Sequence, residues 1–578
     1  MSFNVSDLIV ETLKNAGVRR VYGLPGDSLN GFTDALRRDG ELSWGHVRHE
    51  EAAAFAAAGD AAITGELAVC AASCGPGNLH LINGLFDAHR SRVPVLAIAA
   101  HIPSKEIGGN YFQETHPDQL FRECSVYCEL ASSAAQFPHV LNIALRAAVE
   151  KRGVSVLVVP GNVLLAEIGR PATVSAIRPS ASVSRPGDGE LTRAAVVLDR
   201  SERVTILAGA GCAGAHDQLL AIAGVLQAPV VHALRGKDFV EYDNPYDVGM
   251  TGLLGFSSGY HAMEQCDTLL MLGTDFPYRE FYPEHSTVIQ VDIRGEQIGR
   301  RTRVDVPLVG TAKDTIEALL PKLRTRTDSK HLDRMRKHYV KAREGLDDLA
   351  VNDRNRTPMH PQFVARTVNE LAAEDAVFLA DVGSPVIWAA RYLQMNGQRR
   401  LIGSFNHGTM ANAMPQAIGV QSAQPDRQVI TFSGDGGLAM MLGDLITLQQ
   451  LGLPVKIVVF NNGALSFVEL EMKAAGLVNY GTDLHNPNFA AVAQALGMHG
   501  QRVERPDDLS AALRAAFHHD GAALVEAMVA RQELSMPPTI TFEQIKGFTM
   551  YATRTVLSGR GDELIDLAAT NVGRRIFS

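Results

Sequence analysis

Short apolar runs alternate along the chain with longer stretches of helical periodicity. The runs are apolar on both faces, which is typical of strands buried between helices in a parallel sheet. Alternation of such strands with helices predicts an α/β fold of doubly wound parallel sheets. The predicted strands cover residues 67–72, 93–99, 154–159, 204–208, 268–272, 288–291, 377–380, 429–432, 455–460 and 523–529, and a further short strand is predicted near Trp44.

Three changes in composition divide the chain. Residues 177–188 are rich in serine, proline and arginine, residues 322–361 are charged, and Met536-Pro537-Pro538 ends any helix that precedes it. The chain has 578 residues, which at roughly 100–200 residues per domain suggests a few domains. We predict a first domain at 1–182, a second at 183–340, a third at 341–530 and a C-terminal segment at 531–578.

Composition excludes several classes of protein. The formal net charge is −9 and there is no basic stripe, so we expect no nucleic-acid partner. The N-terminus lacks the basic and apolar regions of a secretory signal, and no run of apolar residues is long enough to span a membrane. The six cysteines are predicted to be buried, reduced thiols of a cytoplasmic protein.

Polar residues follow two neighbouring predicted strands. One strand ends in Gly434-Asp435-Gly436-Gly437 and the next ends in Asn461-Asn462. Ligands of parallel α/β sheets bind beyond the carboxyl ends of the strands, so we expect Asp435 and Asn462 to converge. Carboxylate and amide oxygens suit Mg²⁺, and glycine N–H groups at a helix start can approach a diphosphate. The pattern therefore predicts a site for magnesium and a diphosphate.

This pair of motifs resembles the fingerprint of the thiamine-diphosphate enzymes. The resemblance implies that the carbonyl of Ala464 is a third metal ligand. It also implies that Glu50, within residues 47–55, hydrogen-bonds the aminopyrimidine ring and activates the cofactor by general acid–base chemistry. In residues 405–414, Met410 is expected to bend the cofactor, while Gly408 and Thr409 contact the pyrimidine.

Within that family the chain is most similar to the pyruvate oxidase group, over essentially its whole length. The stretches that carry this resemblance are 47–55, 100–103, 111–116, 231–237, 242–252, 404–416 and 559–563. The resemblance implies successive pyrimidine-binding, FAD-binding and diphosphate-binding domains in a homotetramer, with Glu50 and the Asp435 site contributed by different subunits. The implied FAD contacts are Thr251, Gly252, Leu253, Leu254, Thr274, Asp275, Phe276, Pro277, Tyr278 and Asp292.

The resemblance also implies a reaction. Pyruvate is expected to be oxidised to acetate and CO₂, with two electrons passing through FAD to a membrane quinone. Phe467 aligns with an aromatic residue that enters the active site on activation, Glu471 with a carboxylate that faces the reacting centre, and His89 is a candidate lining residue. The remaining expected thiamine-diphosphate contacts after the Asn461-Asn462 motif are Gly463, Leu465, Ser466 and Val468.

The C-terminal segment has the pattern of an amphipathic helix. Ile545, Phe548, Ala552 and Val556 recur at helical spacing, with Lys546 and Arg554 between them. Such a tail can lie in a membrane interface, and the resemblance implies a phospholipid-binding anchor. We therefore expect a cytoplasmic protein peripherally attached to the inner face of the cell membrane.

Three alternatives stay open from the sequence. An acetolactate synthase would join two pyruvates, and a phosphate- and oxygen-dependent oxidase would make acetyl phosphate. A catalytically silent membrane-associated module is also possible, although the presence of Glu50 and Asp435 argues against it.

Overall fold

A computed structural model of the chain describes residues 2–169, 177, 182–354, 356–531, 533, 550–552 and 554–555. These residues form three six-stranded sheets, and all their strand pairs are parallel. The predicted α/β architecture of three parallel sheets is therefore confirmed. Most of the predicted C-terminal helical tail lies outside the described residues.

The first sheet has the strand order β2-β1-β3-β4-β6-β5. Alternate residues of β3 pack into different apolar cores, so the sheet is covered on both faces. Its strands are β1 (Arg20–Gly23), β2 (Ser43–His46), β3 (Ala68–Ala72), β4 (Val95–His101), β5 (Tyr127–Leu130) and β6 (Val154–Pro160). Its helices are α1 (Val5–Asn15), α2 (Asn30–Asp39), α3 (Glu50–Thr64), α4 (Pro76–Ser91), α5 (Pro117–Leu120), α6 (Phe137–Lys151) and α7 (Gly161–Leu164).

The second sheet has the strand order β9-β8-β7-β10-β11-β12 when read from its β9 edge. This is the 3-2-1-4-5-6 order of dinucleotide-binding folds, with a crevice between the first and fourth strands. Its strands are β7 (Val204–Ala208), β8 (Val230–His232), β9 (Asp247–Met250), β10 (Thr268–Leu272), β11 (Thr287–Asp292) and β12 (Val306–Val309). Its helices are α8 (Asp188–Arg200), α9 (His216–Leu226), α10 (Lys237–Val240), α11 (Ser257–Glu264), α12 (Ala312–Leu319) and α13 (Lys330–Asp347).

The third sheet repeats the order of the first, as β14-β13-β15-β16-β18-β17. Its strands are β13 (Val377–Ala380), β14 (Arg400–Gly403), β15 (Val429–Gly434), β16 (Lys456–Asn461), β17 (His499–Val503) and β18 (Ala523–Met528). Its helices are α14 (Pro361–Leu371), α15 (Ser384–Tyr392), α16 (Ala413–Ala423), α17 (Asp435–Met440), α18 (Leu445–Leu451), α19 (Ser466–Ala474), α20 (Phe489–Ala495) and α21 (Pro506–His518).

Each sheet lies within one of the three predicted domains, and the exact domain boundaries stay predictions. Every predicted strand is present within a few residues. The strands that the sequence did not predict are β1, β5, β8, β9, β12, β14 and β17. Most of them are edge strands with partly exposed residues, such as β12 and β14, whose side chains are not uniformly buried. A search for runs that are apolar on both faces does not detect such strands.

Helices α3 and α16 join the first domain to the third. Helix α3 is rich in buried alanine and ends at Gly65, which adopts the left-handed conformation (φ 74°) that favours glycine. A Cβ atom at Gly419 of α16 would overlap the carbonyl oxygen of Ala56, and one at Gly59 of α3 would overlap that of Gln416. The two helices therefore contact each other backbone to backbone.

Candidate active site

Asp435 is the centre of the polar site at the carboxyl end of the third sheet. It begins α17 directly after β15 and is almost fully buried. Its Oδ1 accepts the N–H of Gly436 at 2.9 Å, and its Oδ2 accepts the N–H of Gly463 and Nδ2 of Asn486, both at 2.8 Å. Burial raises the pKa of the carboxyl group, and these hydrogen bonds lower it. The Gly463 bond brings the loops after β15 and β16 together.

Asn462 lies in the second of these loops. Its Oδ1 accepts the N–H of Ala464 at 3.1 Å, and its Nδ2 donates to Oγ of Ser466 at 3.0 Å. The preceding Asn461 is buried and donates to Glu526 at 2.7 Å. The two loops thus present carboxylate, amide and backbone carbonyl oxygens, which are the hard donors that Mg²⁺ takes in proteins.

Asn486 is a site residue that the sequence did not reveal. Its Nδ2 donates to Asp435 at 2.8 Å and to Oδ1 of Asn461 at 3.1 Å. It lies between α19 and α20 in an irregular segment, where no periodicity or motif marks it. The side chain fixes the orientation of the carboxylate that we expect to bind the metal.

Asp381, directly after β13, is a second residue that sequence reasoning missed. Its carboxylate accepts the N–H groups of Ala413 at 2.8 Å and Gly434 at 3.1 Å, and burial raises its pKa to about 8. A Cβ atom at Gly437 would lie 2.5 Å from Asp381 Oδ2 and would overlap the carbonyl oxygen of Met410. Only glycine therefore fits at position 437.

Met410 lies over the glycines of α17. Its Cε is 3.8 Å from the position that a Cβ atom of Gly436 would occupy. The loop before it turns at Gly408, which has a φ of 90° and donates its N–H to the carbonyl of Ser404 at 2.7 Å. The N–H of Thr409 lies 3.4 Å from Oγ of Ser404. The loop that we expect to contact the pyrimidine is thus packed against the loop expected to hold the diphosphate.

Glu50 begins α3 and is paired with a histidine. Its Oε2 lies 2.8 Å from Nδ1 of His80 on α4, and the His80 ring stacks on His49 with centroids 4.2 Å apart. Its Oε1 borders Gly77, where an added Cβ would lie only 2.9 Å from the oxygen. Sequence reasoning missed His80 because its role depends on packing between two helices.

The site residues fall into two groups within one chain. Among the residues that the structure describes, no hydrogen bond or ion pair links Glu50 to Asp435 or Asn462. Helix α4 instead connects the Glu50 region to the loop before α16. Asn83 donates to Glu51 and lies 2.7 Å from Nε2 of His407, and Asp87 accepts from Gln416 at 2.7 Å.

The second domain holds the expected FAD residues around its crevice. Thr251 is buried, and its Oγ1 has no hydrogen-bond partner among the described residues. Asp292 ends β11 and is also buried, which raises the pKa of its carboxyl group to about 6. Gly209 and Gly211 after β7 pack directly on Gly273 after β10. A dinucleotide-binding strand order, an unpartnered hydroxyl group and a carboxylate at a strand end are features that fit FAD.

Helix α19 extends the metal site toward the second domain. It carries Phe467, which is partly buried against the third-domain core, and Val468, which is exposed. Burial raises the pKa of Tyr278 in the second domain, with smaller contributions from the charges of Glu280 and Glu471. Glu471 is therefore close enough to Tyr278, in the expected flavin loop 274–278, for its charge to act on the phenol.

His89 lies at the other end of α4 from His80. Its Nδ1 is 3.7 Å from the position of an added Cβ at Gly153, and burial lowers the pKa of its ring. The structure thus places His89 beside the loop before β6, several helical turns from the carboxylate of Glu50.

The fold and the site together define a class of protein, an α/β enzyme with a magnesium and diphosphate site. Family models agree with this class. The thiamine pyrophosphate enzyme N-terminal TPP binding domain matches residues 3–120, the central domain matches 191–319, and the C-terminal TPP binding domain matches 381–527. The chain belongs to the thiamine pyrophosphate enzyme family, whose cofactor is thiamine diphosphate.

Individual relatives show how far the similarity extends. The Bacillus subtilis (strain 168) protein YdaP, whose provisional name describes it as thiamine pyrophosphate-containing, is 36% identical over 97% of both chains. Pyruvate oxidase of Lactiplantibacillus plantarum is 30% identical over 90% of this chain and 88% of its own. Acetolactate synthase isozyme 2 large subunit of Escherichia coli (strain K12) is 29% identical over 92% of this chain and 97% of its own.

Proposed function

We propose that the protein oxidatively decarboxylates pyruvate to acetate and CO₂ and passes two electrons through FAD to a membrane quinone. It uses thiamine diphosphate and Mg²⁺ and works as a homotetramer with active sites between subunits. The similarity to pyruvate oxidase supports the substrate, and the dinucleotide-binding strand order of the second domain supports FAD. The observation that carries the proposal is the dinucleotide-binding strand order of the second domain, because oxidation of pyruvate requires an electron acceptor and FAD would be that acceptor.

In this proposal, residues of the third domain bind the diphosphate and its metal. Asp435, Asn462 and the carbonyl of Ala464 would hold Mg²⁺, and the glycine backbone at Gly436 and Gly437 would let the diphosphate approach the start of α17. Residues 463–468 line the same side of the cofactor. Met410 and the backbone of Gly408 and Thr409 bind the pyrimidine side. When bound, thiamine diphosphate supplies a nucleophilic carbon and an electron sink for decarboxylation.

Glu50 holds the proton that activation of the cofactor requires. His80 occupies its Oε2 at 2.8 Å, so Oε1, next to Gly77, is the atom available to a cofactor nitrogen. A carboxylate oriented by a second hydrogen bond keeps its geometry while it exchanges a proton. Because Glu50 and Asp435 share no contact within the described part of one chain, we propose that each site combines Glu50 of one subunit with Asp435 of another.

The FAD residues of the proposal are Thr251 to Leu254, Thr274 to Tyr278, and Asp292. The unpartnered Oγ1 of Thr251 is a hydrogen-bond donor for the flavin nucleotide, and the Asp292 carboxylate is an acceptor for a ribose hydroxyl. Phe467 and Glu471 lie on α19 between this region and the metal site. They are the residues that we expect to face pyruvate during electron transfer.

Membrane association is proposed for the C-terminal tail. Of the tail, the structure describes two helical stretches at 550–552 and 554–555. Lys473 of α19 lies over the ring of Tyr551 at 5.5 Å, and Arg554 donates to the carbonyl of Gly476 at 2.6 Å. Within the described part of the chain, no helix has the length and apolarity needed to cross a bilayer. We propose a peripheral attachment through phospholipid on the cytoplasmic side.

The similarity to acetolactate synthase supports a second candidate function, which is the joining of two pyruvates. A third candidate is a phosphate- and oxygen-dependent oxidation of pyruvate.

Product analysis distinguishes the three candidate functions. The purified protein with thiamine diphosphate, Mg²⁺ and FAD is given pyruvate and a soluble quinone analogue, with and without phosphate. We expect one acetate for each quinone reduced, independent of phosphate. Acetolactate without quinone reduction, or acetyl phosphate only when phosphate is present, would overturn the proposal.

A further inference from the structure

The end of α4 in the first domain is attached to the second domain at two points. Arg235, which follows β8 and is partly buried, donates to the carbonyl of Ser91 at 2.8 Å, and burial lowers its pKa to about 10. The next residue, Arg92, donates to Oδ2 of Asp275 at 3.3 Å. Helix α4 therefore ends against the loop that follows β10.

Arg92 occupies an unusual backbone position for an arginine. It caps the C-terminus of α4 in the left-handed conformation, with φ 58° and ψ 47°. Glycine is the usual residue there, because a side chain in this conformation costs free energy. The contact with Asp275 gives a reason for a long, charged side chain at this position.

Asp275 uses both carboxylate oxygens to hold arginines. Its Oδ1 accepts Nε of Arg301 at 2.8 Å, and its Oδ2 accepts the guanidinium group of Arg92. The resemblance to the pyruvate oxidase group implies that Asp275 is an FAD contact, and the structure shows that both of its carboxylate oxygens bind arginines. The Asp275 side chain thus links the loop 274–278 to Arg92 of the first domain and to Arg301 of the second.

The charge of Arg92 also reaches Asp292 at the end of the neighbouring strand β11. Burial raises the pKa of Asp292, and Arg92 is the largest influence that lowers it. Asp275 and Asp292 are both expected FAD residues. Asp275 lies in the loop after β10 and Asp292 ends the adjacent strand β11, on one side of the crevice between β7 and β10. One side chain of the first domain thus acts on two strand ends of the proposed flavin site.

We propose that Arg92 is a positioning residue for the flavin, which orders the loop 274–278 through Asp275. The flavin site would then be completed by the first domain and would not be contained in residues 183–340. This inference rests on the proposed function, because it assumes that the second domain binds FAD. It assigns Arg92 no direct contact with the flavin.

A double-mutant cycle on the full-length protein tests this positioning role. FAD affinity is measured by flavin fluorescence for wild type, Arg92→Gln, Asp275→Asn and the double variant, together with thiamine diphosphate affinity and the thermal midpoint. We expect each single variant to bind FAD about fivefold or more less tightly than wild type. The FAD affinity of the double variant should be no lower than that of the single variant with the lower affinity. Thiamine diphosphate affinity should stay unchanged, and Arg92→Lys should restore most of the FAD affinity.

Arg146→Gln is the matched control, because Arg146 is an exposed arginine of the same domain that bonds only to Asn142 among the described residues. Its FAD affinity should equal that of wild type. FAD affinity within twofold of wild type in Arg92→Gln, or additive losses in the double variant, would overturn the positioning role. A wild-type protein that binds no FAD would instead overturn the flavin part of the proposed function.

Discussion

At the scale of single residues, the candidate site depends on buried polar side chains that orient one another. Asp435 is held by Asn486, Glu50 is paired with His80, and Asp381 links two loops through backbone N–H groups. The sequence predicts Asp435 and Glu50, because each lies in a motif at a strand end or helix start. It does not predict Asn486, His80 or Asp381, because their roles arise from contacts between segments distant in sequence.

If the second domain binds FAD as proposed, Asp292 should make FAD affinity depend on pH. Burial raises the pKa of this carboxyl group from 3.8 to about 6, so it is mostly protonated at pH 5 and mostly ionised at pH 7. Only the ionised form is a full acceptor for a ribose hydroxyl. We therefore expect FAD affinity, measured by flavin fluorescence, to rise between pH 5 and pH 7. Asp292→Asn should bind FAD more weakly at pH 7 and flatten this dependence. An equally steep profile in that variant would exclude Asp292 as the titrating group.

At the scale of helices and strands, the extent of burial determines which elements can be predicted from the sequence. Central strands such as β4 and β16 are uniformly buried, and their apolar runs predict them directly. Edge strands such as β17 alternate buried and partly exposed residues and resemble ordinary surface segments. The contact between α3 and α16 is also hidden, because it depends on which glycines face each other in the folded protein.

Gly419 should be required for the contact between α3 and α16. A Cβ atom there would overlap the carbonyl oxygen of Ala56, and a backbone atom cannot move aside as a flexible side chain can. We expect Gly419→Ala to destabilise the protein by about 2 kcal/mol or more, measured as a lower midpoint of thermal unfolding.

Gly189→Ala on α8 provides the matched control for this substitution. A Cβ atom at Gly189 would meet nothing within 4 Å. This variant should be neutral or more stable by about 0.5–1 kcal/mol, because alanine favours helix more than glycine does. Equal midpoints for Gly419→Ala and wild type would show that the two helices are not packed this closely.

At the scale of the whole molecule, the three sheets contribute different parts of the proposed site. The first and third supply Glu50 and the Asp435 site, and the second has the strand order of dinucleotide-binding folds. Changes in composition predict the division into domains. The FAD-binding role of the second domain is predicted only by the resemblance to the pyruvate oxidase group. Subunit assembly and membrane attachment depend on surfaces and on a tail largely outside the described residues, so they stay predictions.

Removal of the tail tests the proposed attachment to membranes. A variant that ends after Met536 should no longer sediment with vesicles of phosphatidylethanolamine and phosphatidylglycerol. The variant keeps the third sheet and its loops but loses the contacts of Tyr551 and Arg554 with Lys473 and Gly476. We therefore expect pyruvate oxidation with a soluble acceptor to continue at a lower thermal midpoint. Unchanged vesicle binding would show that the tail is not the anchor.

The activating role of Glu50, whose carboxylate His80 orients, is central to the account, and the neighbouring Glu51 allows a direct test. Glu51 bonds to Asn83 and lies outside this pair. The test is the rate of pyruvate decarboxylation by wild type, Glu50→Gln and Glu51→Gln, each saturated with thiamine diphosphate and Mg²⁺. We predict that kcat falls about 100-fold or more in Glu50→Gln and stays near the wild-type value in Glu51→Gln. Wild-type activity in Glu50→Gln would contradict the account.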